Sequence, residues 1–227
     1  MTKKRTKEEL FIEIRTAIDE IRAGLPDSIN AKSFKTKSLL PFKVMSSAGA
    51  LGRRFVDLAD DALFLFERGK VVSPSILSRS CIETVSMVFL IHKKMVELIE
   101  NSKHKNVDDF DEFIMKQLFG SKTNPDVPDA YNVLTAIQHL DKTYQGIEKS
   151  YYSLSEIAHP NWPGTHGAYT KLDDDHYYLS FKEGKISPMQ GLFLLSGSTK
   201  LMQYYWHSIV DELNKLICLC QEADTAV

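Results

Sequence analysis

Ile76-Leu-Ser-Arg-Ser-Cys-Ile-Glu-Thr-Val-Ser-Met-Val-Phe-Leu-Ile91 is apolar almost all round, and its only charges are Arg79 and Glu83. Ser73-Pro74 just upstream pairs an N-cap residue with a proline suited to the first helical position. The expectation is a helix from about 74 to 100, with Arg79 and Glu83 on one face at i and i+4 beside Ile76, Ile82, Met87 and Leu90. Both charges are then at least partly buried, and buried charges need partners. One reading is a structural ion pair. The other is an arginine facing a cleft that binds an anion, oriented by the glutamate.

The flanking segments also read as helices. Residues 7–23 carry Leu10, Ile14, Ala17, Ile18 and Ile21 as a stripe, with Thr6 and Glu9 at capping-box spacing and Gly24 and Pro26 as stops. Residues 25–43 look irregular. Residues 44–68 repeat apolar positions at intervals of three and four, up to Gly69. Further helices are expected at about 107–119, 129–141, 144–158 and 188–220, the last opened by Ser187-Pro188. Pro160, Pro163, Gly164 and Gly167 oppose helix, and two β-prone runs, 168–172 and 176–181, look like a hairpin joined by aspartates. The expected fold is all-α: a single domain over 1–227, a helical bundle of about seven helices with one small β-hairpin insertion near 168–181.

Composition bounds the function. Of 227 residues, 43% are apolar and 26% charged, enough for a sizeable core. A net charge of -2 argues against coating nucleic acid by charge alone. The N-terminus shows no signal-peptide pattern, and the most apolar windows, 81–91 and 192–195, look too short to span a bilayer. Three cysteines, Cys81, Cys218 and Cys220, suit a reducing compartment, so a cytoplasmic location without membrane contact is expected.

The second concentration of polar groups is Tyr151-Tyr-Ser-Leu-Ser-Glu-Ile-Ala-His-Pro-Asn161. Tyr152, Ser155, Glu156 and His159 recur on one helical face that ends at Pro160. A histidine at a helix C-terminus gains from the dipole when protonated, which suits proton transfer; the alternative is a simple helix-end cap. His159, His166 and His176 with Asp173, Asp174 and Asp175 fit no zinc spacing, so no metal and no cofactor are expected. Between Ser28 and Val56 stand Lys32, Lys35, Lys37, Lys43, Arg53 and Arg54 without an acid, interleaved with Phe34 and Phe42. That stretch is either a patch for phosphates or RNA, or a solvated surface balanced by Asp57, Asp60 and Asp61. Glycine-rich phosphate loops, nucleophile elbows and zincin motifs are absent from the sequence.

At Arg79, Glu83 and Ser155-Glu-Ile-Ala-His-Pro-Asn161 the chain resembles a group of uncharacterised prokaryotic helical proteins with an Arg-x-x-x-Glu helix and a Ser-x-x-x-His-Pro helix end. That group is distantly similar to the HEPN superfamily. The resemblance implies a helical domain that often dimerises, and for many members a metal-independent ribonuclease of toxin or antiviral systems. It points to Arg79, Glu83, Ser155, Glu156 and His159 as catalytic candidates, with RNA or a nucleotide as partner. The HEPN pairing of an arginine with a closely following histidine on one helix does not occur here. The competing expectation is a non-enzymatic interaction or dimerisation module in which the same cluster is structural.

Overall fold

In the computed structural model, which describes residues 5–101, 105–173, 178–181, 184 and 186–225, the window around Arg79 lies in a helix at the centre of the bundle. This helix, α3 (Val72–Asn101), packs against five others: α2 (Leu40–Glu67), α4 (Lys105–Phe119), α5 (Val133–Thr143), α6 (Ile147–Ala158) and α8 (Met189–Thr225). The N-terminal helix α1 (Lys7–Gly24) closes the bundle against α2 and α8. A four-residue helix, α7 (His166–Tyr169), leads into β1 (Thr170–Asp173) and β2 (Tyr178–Phe181), an antiparallel hairpin with Thr170 opposite Phe181 and Asp173 opposite Tyr178. The protein is thus a mostly helical bundle with one small two-stranded hairpin, as the sequence led one to expect.

The burial of α3 raises a chemical problem, because it carries several hydroxyls. The four buried ones are satisfied by carbonyls one turn back. Ser75, Ser78, Thr84 and Ser86 donate to the carbonyls of Val71, Pro74, Ser80 and Ile82 at 2.7–2.8 Å. Bonding back one turn lets small polar residues occupy an apolar interior without a stranded donor. By length and a mean hydropathy of 1.3, α3 also resembles a membrane span, but 67% of that window is buried within the fold, as in a core helix.

The main core joins α1, α2, α3, α4, α5 and α8 around Phe55, Phe66, Phe89 and Trp206. A smaller cluster of Ile82, Ile137, Tyr151, Leu154 and Ile157 fills the seam between α3, α5 and α6.

Several boundaries differ from expectation, each for a local reason. The stretch 25–43 contains a 3-10 turn at Ala31–Phe34, capped by Asn30, and α2 starts at Leu40, with Pro41 in its first turn. α3 starts at Val72, because the Ser75 amide already bonds to the Val71 carbonyl at 3.2 Å. Ser73 and Pro74 therefore sit inside the first turn, where a missing N–H costs nothing. α5 waits until Val133, where Asn132 Oδ1 accepts the Leu134 amide at 3.0 Å. α6 begins after Gly146, whose φ of +97° only glycine adopts freely. Asp141, near the end of α5, holds that turn by accepting the Gly146 and Glu148 amides at 2.9 and 3.0 Å. The capping box of Thr6 and Glu9 and the start of α8 behind Ser187-Pro188 are as the spacing predicted. The aspartate turn of the hairpin at 174–177, and with it His176, lies outside the described residues.

Candidate functional site

α6 presents two faces. Tyr151, Leu154 and Ile157 point inward to α3 and α5 and are buried. Tyr152, Ser155, Glu156 and His159 lie on the side away from them, with Tyr152 48% exposed and His159 exposed. The helix sorts its residues by the ordinary rule that the apolar stripe is buried. Tyr151 is the exception within that stripe, since its ring is apolar but its hydroxyl needs a partner.

The partners are Arg79 and Glu83. Arg79 Nη2 donates to the Tyr151 hydroxyl at 2.9 Å, and that hydroxyl donates to Glu83 Oε1 at 3.0 Å. Arg79 Nη2 is also 3.3 Å from Glu83 Oε1, closing a triangle. The guanidinium carbon lies 4.9 Å from the centre of the Tyr151 ring, adding a cation–π contact. The Arg79 and Glu83 side chains are only 28% and 23% exposed. Burial pushes the Tyr151 phenol above its ordinary pKa, and the neighbouring Glu83 carboxylate pushes the same way against the opposing pull of Arg79. The phenol thus stays protonated and donates to Glu83. Arg79 Nε is buried with no hydrogen-bond partner among the described residues.

The other candidates on α6 make their bonds elsewhere. Ser155 Oγ donates to the Tyr151 carbonyl of its own helix at 3.0 Å, and Glu156 accepts from Asn161 Nδ2 at 2.6 Å. His159 is the residue at which α6 ends; its backbone amide bonds to the Ser155 carbonyl at 3.1 Å. No hydrogen bond joins the His159, Ser155 or Glu156 side chain to the side chains of Arg79, Glu83 or Tyr151 among the described residues. His159 also follows Tyr151 by eight residues, about 12 Å along a helix axis. The loop after it folds back tightly, because a Cβ on Gly164 would come within 2.1 Å of the His159 carbonyl oxygen.

The basic stretch is divided. Lys43 is bound by both oxygens of Asp111 at 2.6 and 2.8 Å. Arg53 bonds to Asp27 at 3.0 Å and to the Pro26 carbonyl at 2.9 Å. Lys32, Lys35, Lys37 and Arg54 are exposed. Of the acids expected to balance this stretch, Asp60 pairs with Arg22 instead. No group of three or more His, Cys, Asp or Glu that would suit a metal ion occurs among the described residues. Asp174 and Asp175, two of the aspartates weighed as ligands, lie outside them.

The residue that the sequence left out of the site is Tyr151, which reads as one more member of the α6 apolar stripe. The usable signal is chemical: a tyrosine in a buried stripe opposite a half-buried ion pair has somewhere to place its hydroxyl. Comparison of the chain with protein-family models, curated proteins and solved structures finds no match.

Proposed function

We propose that this protein is a non-enzymatic helical module that associates with a second copy of itself through its hairpin, and that Arg79, Tyr151 and Glu83 serve to hold α3 to α6. The observation that carries the proposal is the uncovered apolar face of the hairpin. In the observed register, Leu172 and Leu179 are paired across the strands, with Thr170 and Phe181 next on the same face. Leu172 is 54%, Leu179 38% and Phe181 82% exposed. The opposite face carries Lys171, Asp173, Tyr178 and Ser180. A hairpin with one apolar face is built to be covered, and an isolated two-stranded ribbon is only marginally stable. A second copy offers the same face, and a two-fold axis makes such a patch self-complementary.

The closed Arg79–Tyr151–Glu83 triangle supports the non-enzymatic side. A phosphate-binding arginine keeps its guanidinium free for the ligand, whereas Arg79 Nη2 is engaged by Tyr151 and Glu83. The HEPN-like resemblance at Arg79, Glu83 and 155–161 fits a dimerising domain as well as a nuclease.

Light scattering on the purified chain tests the proposal. A dimer is expected at micromolar concentration, and Leu172→Lys with Leu179→Lys is expected to give a monomer with unchanged helical circular dichroism. A wild-type monomer sinks the dimer. Incubation with mixed RNA is expected to leave it intact, and cleavage that His159→Ala abolishes overturns the non-enzymatic reading.

A further inference from the structure

We propose that a cavity at the root of the hairpin, between the α2–α3 turn and β2, binds a nucleotide: a phosphate group carried on a planar ring. The cavity measures about 630 Å³, within the usual range for small-ligand sites. Three cations line it, Lys7 from the start of α1 and Arg68 and Lys70 from the turn, and its described lining contains no carboxylate. Two aromatic rings, Tyr169 and Phe181, form the hairpin side. Val71, Val72, Ile186 and Pro188 supply apolar wall.

The cations are placed by the fold. α2 ends in a Schellman turn: the Gly69 amide bonds to the Phe66 carbonyl and the Lys70 amide to the Leu65 carbonyl, both at 3.0 Å, with Gly69 at a φ of +73°. That turn holds Arg68 and Lys70 on either side of a fixed glycine. The nearest acid in sequence, Glu67, is taken by Arg15. Arg68 instead lies over the Phe64 ring at 3.7 Å and Lys7 over the Phe11 ring at 5.3 Å, and neither contact neutralises charge. No ion pair to Lys7, Arg68 or Lys70 occurs among the described residues. Three gathered cations repel one another, and an anion between them removes that cost. The start of α3 at Val72 adds its positive dipole end to the same wall.

The rings decide between a bare anion and a nucleotide. Phe181 is 82% and Tyr169 56% exposed, although both border an apolar wall. Exposed aromatics beside cations are the pairing that holds a base by stacking and its phosphate by charge. The hairpin root is fixed in place: the Gly184 amide bonds to the Ala168 carbonyl at 2.8 Å, and a Cβ on Gly184 would meet the Gly167 carbonyl oxygen at 1.9 Å. The same chemistry is offered by a free nucleotide and by the phosphorylated end of single-stranded RNA. The turn and the cavity belong to one chain, but Phe181 also ends the hairpin face assigned above to the dimer, so binding is measured on protein whose oligomeric state is known.

Calorimetry on the full chain at low salt, with ATP, inorganic pyrophosphate and a 5′-phosphorylated RNA hexamer as probes, tests it. ATP is expected to bind in the micromolar range, with Arg68→Glu plus Lys70→Glu weakening it more than about tenfold. Both residues are exposed, so melting is expected to be unchanged. Should the double reversal disturb folding, Lys70→Ala alone is expected to weaken ATP severalfold. Phe181→Ala is expected to weaken ATP while leaving pyrophosphate within about twofold, and Lys32→Glu is expected to change nothing. Tighter binding of the hexamer than of ATP supports the site and assigns it to an RNA end; the reverse order supports it and assigns it to a free nucleotide. No binding by any probe at millimolar concentration, or binding indifferent to Arg68 and Lys70, overturns the proposal. Loss of ATP and pyrophosphate alike in Phe181→Ala overturns the part assigned to the ring.

Discussion

The Tyr151 hydroxyl donates to Glu83 Oε1 at 3.0 Å, so a polar link between α6 and α3 runs through a residue of the apolar stripe. The same hydroxyl accepts from Arg79 Nη2 at 2.9 Å. Removing the hydroxyl leaves Arg79 and Glu83 with their longer direct contact at 3.3 Å and strips each of a partner in a half-buried seam. Tyr151→Phe is expected to cost about 1–3 kcal/mol, or roughly 2–4 °C of melting temperature for each kcal/mol in a chain of this size. Thermal melts of the two proteins measure it, and an unchanged midpoint means that the triangle contributes nothing to stability.

His159 gives the opposite expectation. Its side chain is exposed and makes no hydrogen bond among the described residues, and α6 is ended by the backbone amide. His159→Ala is expected to change stability by less than about 0.5 kcal/mol. A loss of several degrees would mean that the imidazole closes a contact with the Arg79 cluster.

The bundle was legible because its signals are local and agree with one another. The all-round apolar run at 76–91 announces a buried helix, Thr6 and Glu9 announce a cap, and Ser187-Pro188 announces a start. Boundaries differ where a single hydrogen bond from the preceding turn decides them. Nothing in 144–147 says that Asp141 will hold the turn before α6, and nothing around Ser73 says that Val71 will already accept a helical bond. The candidate site was half legible. Arg79 and Glu83 stand out as charges in an apolar window. Their partner does not, because a tyrosine in a helical stripe looks the same whether its hydroxyl is bonded or not. Cavity and hairpin face depend on which elements meet, which periodicity does not reveal.

Two glycines of α8 separate packing from propensity. A Cβ on Gly191 would lie 2.6 Å from Phe66 Cζ, and Phe66 is fully buried. A Cβ on Gly197 would meet nothing within 4 Å. Alanine gains about 0.5–1 kcal/mol over glycine in a helix, while an overpacked core loses about 1–3 kcal/mol. Gly191→Ala is therefore expected to lower the melting temperature and Gly197→Ala to raise it. The same sign for both would show that Phe66 yields freely.

Glu13 ties α1 to α8 and makes stability depend on pH. Its Oε1 accepts from Ser196 Oγ at 2.6 Å and from Lys200 Nζ at 2.7 Å, and Arg5 Nη1 reaches the carboxylate at 3.1 Å. Partial burial tends to raise its pKa, but the bonds from Lys200 and Ser196 and the charges of Lys200 and Arg5 outweigh burial and hold it below the ordinary carboxylate value. A depressed folded pKa means that the unfolded chain takes up its proton first as acid is added. The stabilisation is then fully present above the ordinary value of about 4.3 and is lost as pH falls from there through the folded pKa. Glu13→Gln keeps an acceptor for Ser196 but loses the charge. The variant is expected to melt below wild type at pH 7, with the gap closing as pH falls below the ordinary carboxylate value and through the lower folded one. Melts across that range measure it. A gap that stays constant down to pH 3 would mean that the carboxylate acts by shape alone, and no gap at pH 7 would mean that Lys200 and Arg5 are held as well by water as by Glu13.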